Sequence, residues 1–67
     1  MKNALAASMG LCSAAIYRLK SEIQAINERA PLGDDDRRRV ARRSDAINAV
    51  RECWWVLDSL YGEEVER

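Results

Sequence analysis

Histidine and phenylalanine are absent from this chain, proline occurs once and cysteine twice. Each gap closes off a class of chemistry. Without histidine the serines have no ordinary general base, and two thiols alone cannot fill the tetrahedral shell of a zinc ion. No glycine-rich phosphate loop is present. No apolar run is long enough to span a bilayer. Charges of the two signs balance, eleven Lys plus Arg against eleven Asp plus Glu. The chain as a whole therefore has no electrostatic reason to seek DNA or an anionic membrane. Neither catalysis nor a metal, a cofactor or a membrane is expected.

What remains suits helices: alanine, leucine, arginine and glutamate are common. With 67 residues there is material for one domain with a marginal core. Chains of this size compensate with disulfides, metals or self-association. Disulfides are a poor candidate with two cysteines and metal a poorer one without histidine, so self-association remains. Lys2 followed by the small, apolar residues 4–16 faintly resembles a secretory signal. Ser8, Gly10 and Ser13 interrupt it, and Arg18 and Lys20 follow at once. A cleaved signal is not expected, and two thiols without one point to a reducing cytoplasm.

One strong break interrupts the chain, Ala30-Pro31-Leu32-Gly33-Asp34. Pro31 cannot sit inside a helix and disfavours helix at the residue before it. Gly33 permits a turn and Asp34 is a good N-cap. The spacing predicts helix 1 over about 3–29, a turn at 30–34, helix 2 over about 35–61 with Gly62 as its stop, and a fraying acidic tail at 62–67. A short connection between two such helices makes them antiparallel, an all-α helical hairpin.

In helix 1, Leu5, Met9, Cys12, Ile16, Leu19, Ile23, Ile26 and Ala30 recur at alternating spacings of 4 and 3. That is a coiled-coil-like heptad seam. Helix 2 answers with Val40, Ile47, Val50, Trp54, Leu57 and Tyr61, and a polar seam site falls at Arg43 or Ser44. A second stripe runs beside each seam: Ala4, Ala7, Leu11, Ala14 and Ala15 on helix 1, and Ala46, Ala49, Cys53, Val56 and Leu60 on helix 2. One partner helix satisfies one seam. Two adjacent seams make an apolar face too wide for a lone hairpin to cover. The expectation is a homodimer forming a four-helix bundle, with Leu11, Cys12, Ile16, Leu19, Ile47, Val50, Cys53, Trp54, Val56, Leu57 and Leu60 in its core or dimer contact. With the turn near Leu32, Cys12 and Cys53 nearly face each other. Both lie on apolar stripes, and two reduced, buried thiols are expected in preference to a disulfide.

The run Arg37-Arg38-Arg39-Val40-Ala41-Arg42-Arg43 is the one nucleic-acid-like signal. Three aspartates precede it and Asp45 follows, the arginines spread around the helix, and no aromatic lies among them for base stacking. Asp34, Asp35 and Asp36 have their own explanation. They complement the helix dipole and pair with Arg38 and Arg39 one turn on. Trp55 is the unexpected residue. One step beyond the seam residue Trp54, it shares the polar sector of helix 2 with Arg37, Ala41, Ser44, Asn48, Arg51 and Ser59. Tryptophan and arginine are the residues most enriched at binding hot spots. The candidate partner-binding set is Arg37, Ala41, Arg42, Arg43, Ser44, Asn48, Arg51 and Trp55. Tyr17, on the outer side of helix 1, is a weaker counterpart. The competing reading lays Trp55 flat on its own helix or against a second hairpin.

In length, hairpin layout and the central Arg42-Arg43-Ser44 to Asn48 stretch, the chain resembles the very small two-helix dimeric proteins with which temperate bacteriophages disable host machinery, the anti-quorum-sensing proteins among them. The resemblance implies an inhibitor in the bacterial host cytoplasm. Its partners would be a LuxR-type transcriptional activator and a pilus-assembly ATPase. It implies no particular site residues. Two further readings stand beside it: a small nucleic-acid-binding protein using Arg37 to Arg43, and a structural or assembly adaptor.

Overall fold

The computed structural model describes residues 2–29 and 31–66. Those residues form two α-helices and no strand: α1 (Lys2–Asn27) and α2 (Asp34–Glu66). They pack against each other as a hairpin with principal extents of 53 × 14 × 12 Å.

Both ends of the turn are closed by backbone hydrogen bonds. At the end of α1 the Glu28 amide donates to the Gln24 carbonyl at 3.0 Å. The Arg29 amide then donates to Ile26 at 3.0 Å, a tighter turn that ends the helix ahead of Pro31. α2 opens one residue earlier than expected. Its first helical bond runs from the Arg37 amide to the Gly33 carbonyl at 3.1 Å, so Gly33, not Asp34, is the N-cap. Glycine has no side chain to cap with. The Asp36 carboxylate supplies the reciprocal half of a capping box instead, accepting from the Gly33 amide at 3.4 Å. The aspartates pair with Arg37 and Arg38 three residues on (Asp34–Arg37 and Asp35–Arg38, each 3.9 Å), not with Arg38 and Arg39. These exposed pairs contribute little.

Gly62 does not stop α2, and residues 62–66 are helix, not a frayed tail. Glycine in a helix costs about 1 kcal/mol against alanine. No proline follows to enforce a stop, and the glutamates beyond it are good helix formers. Tyr61, Gly62 and Glu64 are half-buried, so the extension stays on the hairpin.

The expected seam is the observed one. On α1, Leu5, Met9, Cys12, Ile16, Leu19 and Ile23 are half-buried and Ile26 is buried. Ala30 lies outside the described residues. On α2, Val40, Val50, Trp54, Leu57 and Tyr61 are half-buried and Ile47 is buried. The polar seam site is Arg43, which is half-buried, and not Ser44, which is exposed. Arg43 Nε lies 3.8 Å from Glu22 Oε2 across the hairpin, and its Nη1 donates to the Arg39 carbonyl at 3.1 Å. Its Nε is closed off from solvent with no hydrogen-bond partner.

Most of the second stripe stays uncovered in the single hairpin, with Ala15 and Ala46 half-buried. Leu11 is 73% exposed and Val56 62%, while Leu60, Cys53, Ala49, Ala14, Ala7 and Ala4 are also exposed. Cys12 and Cys53 are free. Cys12 is half-buried in the seam, whereas Cys53 is exposed, so the expected burial of both thiols does not hold within one chain. The reason is geometric. Cys53 sits one position from Trp54 and so turns about 100° away from α1.

Two stability changes follow. Replacing Arg43 with leucine removes a shielded, unsatisfied N–H and completes the apolar seam. Partly buried ion pairs are often replaced at no loss. A gain of about 1 kcal/mol would raise the thermal midpoint of a domain this size by about 4–8 °C. A lower midpoint would show that the Glu22 pair carries stability. A Cβ at Gly62 meets nothing within 4 Å. Gly62→Ala is therefore expected to stabilise by roughly 1 kcal/mol with increased helical circular dichroism. No gain would mean that the helix is already broken there.

Candidate protein-binding face

The hairpin has two long faces, and its residues divide between them by register. Glu22 meets Arg43, and Ser13 and Arg51 line one depression. Residues whose numbers sum to about 65 therefore lie level with each other. Around each helix, the position after a seam residue turns to one face, and the position before it turns to the other.

On the first face, Trp55 follows Trp54 and Ser13 follows Cys12. These two, with Arg51 and the seam residues Ile16 and Trp54, line a depression of about 270 Å³. Trp55 is 60% exposed. Its ring thus stands at the rim of a shallow hollow, with the Arg51 guanidinium one helical turn away. An apolar anchor, a forked donor and a small hydroxyl residue that lets a partner approach closely are brought together there. From Trp55 the expected row Arg37, Ala41, Ser44, Asn48 and Arg51 runs down α2, and every member is exposed. Tyr17, also exposed, lines a separate hollow of about 290 Å³ with Lys20, Ser21 and Gln24 on α1.

Arg43 is not part of that row. It belongs to the seam and to the second face, where it lines a depression of about 210 Å³ at the turn end with Glu22, Ala25, Ile26, Arg29 and Arg39. Arg42 is exposed beside it. The candidate set read from the sequence is thus split: Arg37, Ala41, Ser44, Asn48, Arg51 and Trp55 along one line, with Arg42 and Arg43 on the other side of α2. Ser13 and Arg29 are additions from α1. Their signal lay in the register. Ser13 precedes Ala14 in a segment legible only as small residues, and Arg29 sits level with Asp36, at the height of the arginine run.

Among the described residues no three acidic or cysteine side chains group to hold a metal ion, and no helix is long and apolar enough to cross a membrane. Compared with family models, with curated proteins and with solved structures, the chain matches none.

Proposed function

We propose that this chain is a non-enzymatic protein-interaction module, working as a homodimer, that grips a partner protein through the face carrying Trp55 and Arg51. The observation that supports this most directly is Trp55 itself, a large aromatic left 60% exposed beside an arginine in a shared hollow. Leaving an indole in water has no folding benefit, whereas covering it with a partner removes from water the apolar area it still exposes. The neighbouring row is made of small and polar side chains that let a partner surface approach, with Arg51 and Arg37 offered to its carboxylates. The resemblance to phage anti-host proteins makes a bacterial transcriptional regulator, of the LuxR type, the first partner to test. On that reading binding disables the regulator.

The test is a titration of partner, captured first from a bacterial lysate with the intact chain, against wild type and two variants. Trp55→Ala and Arg51→Ala are each expected to weaken binding by roughly 1–4 kcal/mol while helicity and molecular mass stay unchanged. Retained affinity in both variants would remove the site from this face. Binding that instead falls steeply with salt and ignores Trp55 would favour nucleic acid held by the arginines.

A further inference from the structure

The second face of the hairpin carries a pattern that selects its own partner. The row on α2 reads Arg42, Ala46, Ala49, Cys53, Val56, Leu60, Glu64. It is arranged about its middle. Eleven residues before Cys53 stands an arginine, and eleven after it a glutamate. The nearer positions are small on the one side, Ala46 and Ala49, and large on the other, Leu60 and Val56. We propose that this face is covered by a second copy of the same chain, laid antiparallel about a two-fold axis that passes beside Cys53. The proposal rests on the homodimer reading and gives it an orientation and a register.

Under that two-fold, α2 lies against α2 of the partner. Leu60 then comes level with Ala46 of the partner subunit, and Val56 falls within one residue of Ala49 of the partner subunit. Glu64 comes level with Arg42 of the partner subunit. Large side chains meet small ones, as close packing requires, and each acidic end meets an arginine-rich one. Leu11 is level with Trp54 and so also lies beside the axis, where it closes the centre of the contact. Each contact occurs twice, as an isologous interface demands. A two-fold running along the hairpin would instead bring two arginine-rich turns together at one end.

The hairpin exposes enough surface for a standard interface. A compact monomer of 7.6 kDa exposes about 4,300 Å² by the usual scaling with mass. This chain exposes 5217 Å². The excess of roughly 900 Å² goes with the elongated 53 × 14 × 12 Å shape, and it leaves room for the ~800 Å² that each side contributes to a standard interface.

Site-directed cross-linking with a short bismaleimide tests the arrangement on the full chain. In a Cys12→Ala background, which leaves Cys53 as the one thiol, a covalent dimer is expected, and it disappears when Cys53→Ala is added. In the background lacking both native thiols, chains carrying Glu64→Cys are mixed with chains carrying Arg42→Cys. They should link to each other, while neither links to its own kind. Within one hairpin these positions are too far apart to be joined, so the product reports the second copy alone. Sedimentation of the unmodified chain accompanies this. Twice the chain mass with the expected linkage supports the proposal. Twice the mass with Glu64→Cys linking only to itself overturns the antiparallel register and leaves the homodimer standing. A folded monomer at micromolar concentration overturns both. Dissociation by Trp55→Ala, with Cys53→Asp leaving the dimer intact, would move the interface to the opposite face and overturn the proposal.

Discussion

A helix in a two-helix hairpin has one neighbour, and everything else in this molecule follows from that. One neighbour covers one stripe. Among the described residues only Ile26 and Ile47 are buried, at 4% and 7% exposure, and every other seam side chain is half-buried. Hydrophobic stabilisation scales with area removed from water, while the entropy of ordering scales with chain length. Two long helices joined along one line gain little of the first for a full measure of the second. The fold is therefore driven to look for more cover, and the sequence provides a second apolar stripe for it.

Polar detail fixes how the two helices meet. A purely apolar heptad seam tolerates slippage by a whole heptad, because every repeat looks alike. Arg43 breaks that equivalence. It stands in the seam opposite Glu22, and any shift of one helix along the other separates the pair. Its contribution lies in register more than in stability, as with other buried polar groups in coiled coils. The capped turn acts with it, since Gly33 and Asp36 set where α2 begins.

The hairpin was legible in the sequence because its signals are local: a seven-residue repeat and a single proline. The ends were less so. Asp34 looked like the cap because its side chain can serve as one, yet the hydrogen bonds give that place to Gly33, with Asp36 reaching back. Gly62 looked like a stop because glycine often ends helices, but no following residue forbids continuation. The binding face was half legible. Helical periodicity placed Trp55 among Arg37, Ala41, Ser44, Asn48 and Arg51. It could not show that Ser13 joins Trp55 and Arg51 in one hollow, or choose Arg43 over Ser44 as the polar seam residue, since both depend on how one helix is rotated against the other. No single-helix pattern contains that angle.

That rotation also decides how folding and binding divide the surface. Cys53 and Trp55 flank Trp54, and about 200° of helix separates them, so α2 presents its apolar stripe and its exposed indole on nearly opposite sides. A second copy over Cys53 leaves Trp55 untouched and places the two indoles on the outer sides of a four-helix bundle. Affinity for a bivalent target then gains from effective concentration with no new contact. A monovalent target would be bound twice, back to back. In the proposed dimer the arginine-rich turns would extend beyond the overlap at both ends, where their charge can steer an acidic partner toward either indole. In such a dimer Arg42 is taken up at the contact, while Arg37, Arg38 and Arg39 are left at the turns to speed the encounter with a third chain.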